Sequence, residues 1–214
     1  MTTDPGYLDP YLEAVRLHGC GFASLLWRSP EYQIARFRVL AEVLEPTGRV
    51  IADLGCGRAD LAEWMEREGI PYGRYIGVEA VPELAGEAAR RAAALPEASI
   101  LTADFAGDPT LFDRLTREHH AEAFVFSGSL NTFTQHEAEG VLDRAWRAIA
   151  RVRGGRLVFN FLSDQTREAP DDTGPARRFE TLALTRWALA RTPSIILRHD
   201  YLCGHDATIA MLAT

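Results

Sequence analysis

The chain has 214 residues, 47% of them hydrophobic and 25% charged, with a net charge of −7 at pH 7. This is the length of one domain with a sizeable core, and the average composition excludes collagen-like, coiled-coil and disordered classes. All 23 basic residues are arginines, which excludes a Schiff-base or phosphate-loop lysine, and the acidic balance disfavours nucleic acid as a partner.

The first 48 residues are predicted to be helical. Apolar residues recur at helical spacing from Leu8 to Val15. Ser29 followed by Pro30 is a typical helix start, and Pro46-Thr47-Gly48 ends that helix. We interpret residues 1–48 as an N-terminal cap or lid and residues 49–214 as the main domain, in one compact unit.

From Arg49 onward, predicted strands alternate with helices. This alternation indicates a doubly wound α/β fold with a parallel sheet and helices on both faces. The predicted strands are Val50–Leu54, Tyr75–Glu79, Ser99–Thr102, Ala123–Phe126 and Arg156–Phe161. The predicted helices between them are about Asp60–Glu68, Pro82–Ala94, Asp108–His119 and Gln135–Val152.

The last third of the chain departs from this rhythm. Ser163–Pro175 is polar and is predicted to be a mobile loop on the substrate side. A helix over about Arg177–Arg191 precedes two strands, Ser194–Tyr201 and Asp206–Leu212. These two strands are too close in sequence for a crossover helix, so they must pair antiparallel. The prediction is a seven-stranded, mostly parallel sheet with a C-terminal antiparallel hairpin.

The turn after the first strand is the first candidate for a binding site, because open parallel sheets bind ligands beyond the carboxyl ends of their strands. It carries Gly55 and Gly57 at alternate positions, which lets the backbone approach a ligand closely. A nicotinamide-dinucleotide fingerprint would have a third glycine where Asp60 stands. A carboxylate there would repel a pyrophosphate. An NAD(P)-dependent oxidoreductase therefore remains only the alternative.

The segment Asp53-Leu54-Gly55-Cys56-Gly57 resembles the first motif of class I S-adenosylmethionine-dependent methyltransferases. The similarity extends over about Ser29–Met211 and is closest to bacterial members that act on small molecules. It implies a Rossmann-like fold, methyltransferase activity, S-adenosylmethionine as cofactor and S-adenosylhomocysteine as product. A methyltransferase-like binding protein without catalysis is a further alternative.

The resemblance also implies roles for particular residues. Glu79 would accept from the ribose hydroxyls, Asp104 would face the adenine, and Arg36 would meet the cofactor carboxylate. For Glu79 we expect no structural role, since an acid at a strand end has few other partners. Arg36 could instead pair with Glu31 or Glu42, and Asp104 could begin a turn. The complete set of predicted cofactor-binding residues is Arg36, Asp53, Gly55, Cys56, Gly57, Glu79, Ala80, Asp104, Phe105, Ser127 and Gly128.

The acceptor side is less well defined by the sequence. Asn131, Tyr201 and His205 are candidate catalytic residues, although each could equally serve packing or a turn. An aromatic, amide-containing acceptor pocket could be built from residues that could also be core or caps: Trp27, Asn131, Phe133, Asn160 and Phe161. The family's Asn/Asp-Pro-Pro-Tyr motif is missing after the fourth strand, which disfavours DNA adenine or glutamine amides as acceptors. No metal site is predicted.

We expect a small-molecule acceptor as the only partner, with no nucleic acid and no membrane, and a monomer or homodimer. No apolar run approaches the roughly 20 residues of a membrane span, and no secretory signal is expected. Three widely spaced cysteines do not suggest a disulfide framework, which favours the cytoplasm.

Overall fold

The computed structural model describes residues 5–167 and 174–214, and a single mixed sheet forms its centre. The strand order is β3-β2-β1-β4-β5-β8-β7, and a short strand β6 pairs with β5 outside this path. The strands are β1 (Val50–Leu54), β2 (Arg74–Glu79), β3 (Ala98–Thr102), β4 (Ala123–Phe126), β5 (Arg156–Ser163), β6 (Arg178–Phe179), β7 (Ile195–Arg198) and β8 (Asp206–Leu212).

Strands β1 to β5 are mutually parallel, whereas β8 runs antiparallel between β5 and β7. The predicted Rossmann-like α/β class and its antiparallel hairpin are therefore confirmed. The two-residue strand β6 was not predicted. It pairs in parallel with the end of β5 and delays the next helix to Thr181, four residues after the predicted start at Arg177.

Seven α-helices surround the sheet in the described residues, with short 3₁₀ turns at Pro5–Tyr7, Phe22–Leu25 and Leu202–Gly204. The helices are α1 (Asp9–His18), α2 (Pro30–Leu44), α3 (Asp60–Arg67), α4 (Pro82–Ala92), α5 (Leu111–Arg117), α6 (Gln135–Ile149) and α7 (Thr181–Leu189). None of these helices has the length and apolar character needed to cross a bilayer.

Local signals explain where several helices begin. The Ser29 side chain accepts a hydrogen bond from the Tyr32 amide at 3.5 Å, as expected for an N-cap before Pro30. Thr134 and Glu137 form a capping box at the start of α6. Helix α5 begins three residues after the predicted Asp108, because the Asp108 carboxylate accepts from the Thr110 amide and hydroxyl and holds a turn there.

The core lies on both faces of the sheet, as alternating strand residues require. On one face Phe124 and Phe126 pack with α5, α6 and α7. On the other face Ile51 and Tyr75 pack with α2 and α3. Helix α2 contributes four buried residues to this second layer, Phe37, Leu40, Val43 and Leu44. Helix α2 is thus part of the core that packs on the sheet, although it precedes the domain boundary predicted at residue 48.

Candidate functional site

A cavity of about 410 Å³ lies at the carboxyl edge of the sheet. Its floor is formed by residues that follow β1, β2 and β4, including Gly55, Ala80 and Gly128. Strands β2 and β4 flank β1 on opposite sides, so the cavity lies at the topological switch point where open α/β sheets bind ligands. Its roof comes from the N-terminal segment, defined here as residues 5–28, through Tyr7, Leu25 and Trp27 among others.

The turn after β1 needs its glycines for two reasons: their backbone conformation and the close approach of a side chain from the roof. Gly55 and Gly57 have φ angles of 74° and 57°, in the left-handed region that glycine tolerates without steric cost. A Cβ atom on Gly57 would lie 2.7 Å from Leu25 Cδ2 in the roof. The turn is tied to the sheet because the Gly55 and Cys56 amides donate to the Val78 carbonyl at 2.8 and 3.0 Å.

Glu79 lines the cavity at the end of β2, but it also has three backbone partners. The Gly57 amide donates to Oε2 at 2.8 Å, and the Ala80 and Val81 amides donate to Oε1, each at 2.9 Å. The expectation that this residue has few other partners is therefore wrong. Since an ionised carboxylate has about four acceptor sites, a ligand hydroxyl can use only about one more while these bonds persist.

Asp53 is buried beneath the cavity and is only half satisfied. Its Oδ2 accepts from the Tyr75 hydroxyl at 2.6 Å, whereas its Oδ1 is buried with no hydrogen-bond partner. Burial raises the pKa of the Asp53 carboxyl to about 7, and the negative charge of Glu79 adds to the increase although the Tyr75 hydrogen bond opposes it. Cys56 also lines the cavity, and burial raises the pKa of its thiol, which makes it a poor nucleophile.

Asp104 and Phe105 diverge after β3. Phe105 lines the cavity, whereas Asp104 is not among the lining residues. Its Oδ1 accepts from the Ala106 amide at 2.8 Å and from the Tyr7 hydroxyl. Asp104 therefore holds a turn, and its carboxylate additionally ties the N-terminal segment to the sheet. Its contact with the adenine stays a prediction that its position outside the cavity lining does not favour.

Ser127 and Gly128 line the cavity at the end of β4. The Gly128 amide donates to Asn160 Oδ1 at 2.7 Å, so Asn160 positions this turn from β5. A Cβ atom on Gly128 would lie 2.7 Å from Trp27 Cη2, which means that the indole rests directly on the turn. The Ser127 hydroxyl is buried without a hydrogen-bond partner in the described part of the chain.

Arg36 lines the cavity from α2, and its partner is neither Glu31 nor Glu42. Its guanidinium contacts Asp206 Oδ1 at 2.5 Å through both Nε and a terminal nitrogen. Asp206 Oδ2 in turn lies 2.8 Å from His205 Nδ1. Trp27 stacks on the other side of this group, with the Arg36 guanidinium carbon 4.5 Å from its ring centre. Glu42 instead pairs with Arg198.

The remaining acceptor-side candidates separate into two groups. Trp27, Asn131 and His205 line the cavity, and Asn131 Oδ1 is buried without a partner. Tyr201, Phe133, Asn160 and Phe161 do not line it. The Tyr201 hydroxyl bonds with Thr208 Oγ1 at 2.7 Å, and Phe133 and Phe161 belong to the core. The acceptor pocket predicted from five residues is therefore reduced to two of them.

Sequence reasoning missed Asp206 and Leu25 as parts of this site. The sequence pattern identifies Asp206 only as the start of a strand, and nothing in that pattern relates it to Arg36, 170 positions earlier. The described loop residues Gly174, Pro175 and Ala176 also line the cavity, in keeping with a substrate-side loop, but residues 168–173 of that loop lie outside the described residues.

The chemistry of this donor set fits S-adenosylmethionine. The unpartnered Asp53 Oδ1 suits an ammonium group, because a buried carboxylate oxygen without a partner is costly. Glu79 retains an acceptor site for a hydroxyl, and Tyr7 and Phe105 offer an aromatic wall to a planar base. In the described residues no three His, Cys, Asp or Glu side chains are grouped so as to hold a metal ion.

No protein-family model and no curated protein matches the sequence, but many solved structures match its fold. The CurJ carbon methyltransferase has a TM-score of 0.66 at 12% identity, over 96% of this chain and 61% of that one. The S-adenosylmethionine-dependent methyltransferase SibL has a TM-score of 0.65 at 16% identity, over 97% and 69%. A SAM-dependent methyltransferase from Aquifex aeolicus has a TM-score of 0.59 at 11% identity, over 96% and 99%. The chain thus has the fold of class I S-adenosylmethionine-dependent methyltransferases.

Proposed function

We propose that the protein is an enzyme that transfers a methyl group from S-adenosylmethionine to a small-molecule acceptor. The observation that carries the proposal is Asp53 Oδ1, a buried, unpartnered carboxylate oxygen beneath a cavity at the switch point of this fold. A cationic amino group is the ligand chemistry that would satisfy such an oxygen.

In this proposal each predicted residue that lines the cavity acts on a definite part of the cofactor. Asp53 accepts from the ammonium, Glu79 accepts from one ribose hydroxyl, and Phe105 packs on the base. Arg36 is near enough to the cavity to meet the carboxylate while it remains paired with Asp206. The backbone contacts come from Gly55, Cys56, Gly57, Ala80, Ser127 and Gly128, all of which line the cavity.

When bound, the sulfonium cofactor supplies an already activated methyl group. The work left to the chain is to align the acceptor atom with that methyl group and to exclude water. The roof residues Leu25 and Trp27 close the cavity on the side away from the sheet. The acceptor enters beside Gly174, Pro175 and His205, which line the part of the wall contributed by the second half of the chain.

Of the two arguments against a nicotinamide cofactor, the structure weakens the first and supports the second. Asp60 lines the cavity, but its carboxylate is paired with Arg58 at 3.0 Å and with Arg91 at 2.5 Å. Its charge is therefore largely compensated, and repulsion of a pyrophosphate is a weak objection. The antiparallel strand β8 between β5 and β7 is what supports the methyltransferase assignment.

A thermal-shift comparison tests the proposal. S-adenosylhomocysteine at 100 times its dissociation constant should stabilise the folded protein by about 2.7 kcal/mol, whereas NAD⁺ at the same concentration should not raise the melting temperature. Stabilisation by NAD⁺ alone would overturn the assignment. Formation of S-adenosylhomocysteine during incubation with S-adenosylmethionine and a panel of acceptors then distinguishes an enzyme from a binding protein without catalysis.

A further inference from the structure

Three side chains from two distant parts of the sequence form a connected chain in the cavity wall. His205 Nδ1 lies 2.8 Å from Asp206 Oδ2, and Asp206 Oδ1 lies 2.5 Å from the Arg36 guanidinium. Asp206 is fully buried, and Arg36 and His205 are 4% and 8% exposed. His205 and Arg36 line the cavity. The chain therefore connects the cavity to a carboxylate that solvent does not reach.

The hydrogen-bond pattern indicates which nitrogen of His205 carries the hydrogen in the neutral form of the ring. An ionised carboxylate can only accept, so Nδ1 carries the hydrogen that bridges to Asp206. The Nε2 atom then presents its lone pair; His205 lines the cavity, and its ring bonds through Nδ1 alone within the described part of the chain. An imidazole whose Nδ1–H is fixed by a carboxylate and whose Nε2 is free is poised to accept a proton.

Arg36 keeps Asp206 in the charged form that this arrangement needs. Burial by itself raises the pKa of Asp206, but the guanidinium charge and the His205 hydrogen bond outweigh it, and the pKa is lowered. The other groups around His205 are the Tyr32 ring, edge-on at 5.6 Å, and Arg178, which donates to the His205 carbonyl at 3.3 Å. A positive charge that forms on His205 is therefore stabilised by Asp206.

We propose that His205 is the general base of the methyl transfer, that it deprotonates a phenolic acceptor, and that Asp206 and Arg36 are its positioning residues. The inference rests on the proposed function. In the step, the acceptor hydroxyl gives its proton to His205 Nε2. The oxygen forms a bond to the methyl carbon while the carbon–sulfur bond breaks, with its electron pair moving to sulfur. Water later removes the proton from His205.

A phenol is the acceptor that matches a base of this strength. A phenolic hydroxyl titrates near pH 10 and an imidazole near 6.5, so transfer is uphill by a gap that Asp206 can help to close. Aliphatic alcohols are much weaker acids, and thiols ionise closer to neutral pH and need less help from a base. The cavity that His205 lines also has aromatic and apolar lining residues that suit a planar ring, namely Tyr11, Trp27, Leu162 and Pro175. We call His205 and Asp206 the dyad.

The first test reads the tautomer directly, without activity. Nitrogen-15 NMR of the ligand-free protein, with the signal assigned by its loss in His205→Gln, should show a protonated Nδ1 and an unprotonated Nε2 on His205. In Asp206→Asn this preference should be lost. If Asp206→Asn does not fold, the wild-type spectrum by itself still decides which nitrogen of His205 carries the hydrogen. A protonated Nε2 in the wild type would overturn the proposal.

The second test uses para-nitrophenol, whose phenolate has a distinct absorbance. With S-adenosylhomocysteine present, one pH unit below the solution pKa of the probe, the wild type should bind it mainly as phenolate. His205→Gln should bind it as the neutral phenol and at least tenfold more weakly, while His136→Gln, an exposed histidine outside the cavity, behaves as wild type. Absence of binding, or equal phenolate in His205→Gln, would refute the phenolic base assignment.

These outcomes are separable from failure of the proposed function. Binding of S-adenosylhomocysteine to His205→Gln, measured by calorimetry, should match that of the wild type, because His205 belongs to the acceptor side. If the wild type does not bind S-adenosylhomocysteine at all, the methyltransferase assignment fails. If it binds and the phenol probe is not ionised, only the dyad fails.

Discussion

Glu79 and Asp53 lie on neighbouring strands of the same edge, and their hydrogen bonding differs sharply. Glu79 accepts from three backbone amides, so it shapes the loop between β2 and α4 and anchors Gly57 before any ligand binds. Asp53 has one oxygen bonded to Tyr75 and the other left without a partner. A carboxylate whose oxygens already accept hydrogen bonds has a structural role as well as any functional one. A buried carboxylate oxygen without a hydrogen-bond partner is instead available to a ligand.

Glu79→Gln should affect both stability and binding. A single amide oxygen cannot replace two carboxylate oxygens that accept from Gly57, Ala80 and Val81. We expect the ligand-free protein to lose about 1–3 kcal/mol and the affinity for S-adenosylhomocysteine to fall at least about tenfold. A thermal melt and a calorimetric titration measure the two effects. Glu66→Gln, an exposed change on α3, is the control. An unchanged melt would show that the three amide bonds contribute little.

Asp53→Asn should make the ligand-free protein more stable at alkaline pH. The folded-state pKa of Asp53 is raised to about 7 from 3.8, so the stability that it contributes at acid pH is lost as pH rises toward 7. An asparagine can still accept from the Tyr75 hydroxyl and has no charge to bury. We expect a gain of about 2–4 kcal/mol near pH 8 and a much smaller gain near pH 5, measured by urea unfolding.

The same variant should bind S-adenosylhomocysteine more weakly, because it lacks a negative charge for the ammonium. Wild-type affinity should decrease as pH falls below 7, since Asp53 must then lose a proton on binding, and this decrease should vanish in Asp53→Asn. Stability and affinity thus respond to the substitution in opposite directions. If both fall together at pH 8, Asp53 is a packing residue.

The N-terminal part of the chain divides at Ser29 into a segment that covers the cavity and helix α2, which packs on the sheet. The segment before it contacts the sheet edge through Tyr7, which bonds with Asp104, and through Leu25 and Trp27 on the two glycine turns. Helix α2 after it is built into the core beside β1 and β2, and Arg156 of β5 donates to its Val43 carbonyl at 2.8 Å. Only the earlier segment has the contacts expected of a lid.

Two truncations distinguish these roles. Removal of residues 1–28 should leave a cooperatively folding protein with weaker S-adenosylhomocysteine binding, because the roof is lost and the core is kept. Removal of residues 1–46 should abolish cooperative unfolding, because it uncovers the layer that Phe37, Leu40, Val43 and Leu44 fill. Circular dichroism melts and calorimetry measure the outcomes. Equal affinity in the shorter truncation would show that the segment is not a lid.

Across the whole molecule, the sequence predicts the strands and helices but not the side-chain contacts between distant parts of the chain. Strand and helix types follow from local periodicity, and the carboxyl-edge position of Asp53, Glu79 and Ser127 follows from the parallel order. Side-chain pairing has no such local signal. The pair Tyr7 and Asp104 is 97 positions apart and the pair Arg36 and Asp206 is 170 apart, so their chemistry is visible only once the chain is folded. Strand β6 was missed because two residues are too few for a period.

The packing of Leu25 on Gly57 and of Trp27 on Gly128 has a consequence for the timing of binding. The roof rests directly on both glycine turns of the floor, so we expect a molecule as large as a nucleoside to bind only after an opening of the N-terminal segment. At high ligand concentration the association rate is then set by that opening and not by diffusion. We expect release of a bound nucleoside to require the same opening.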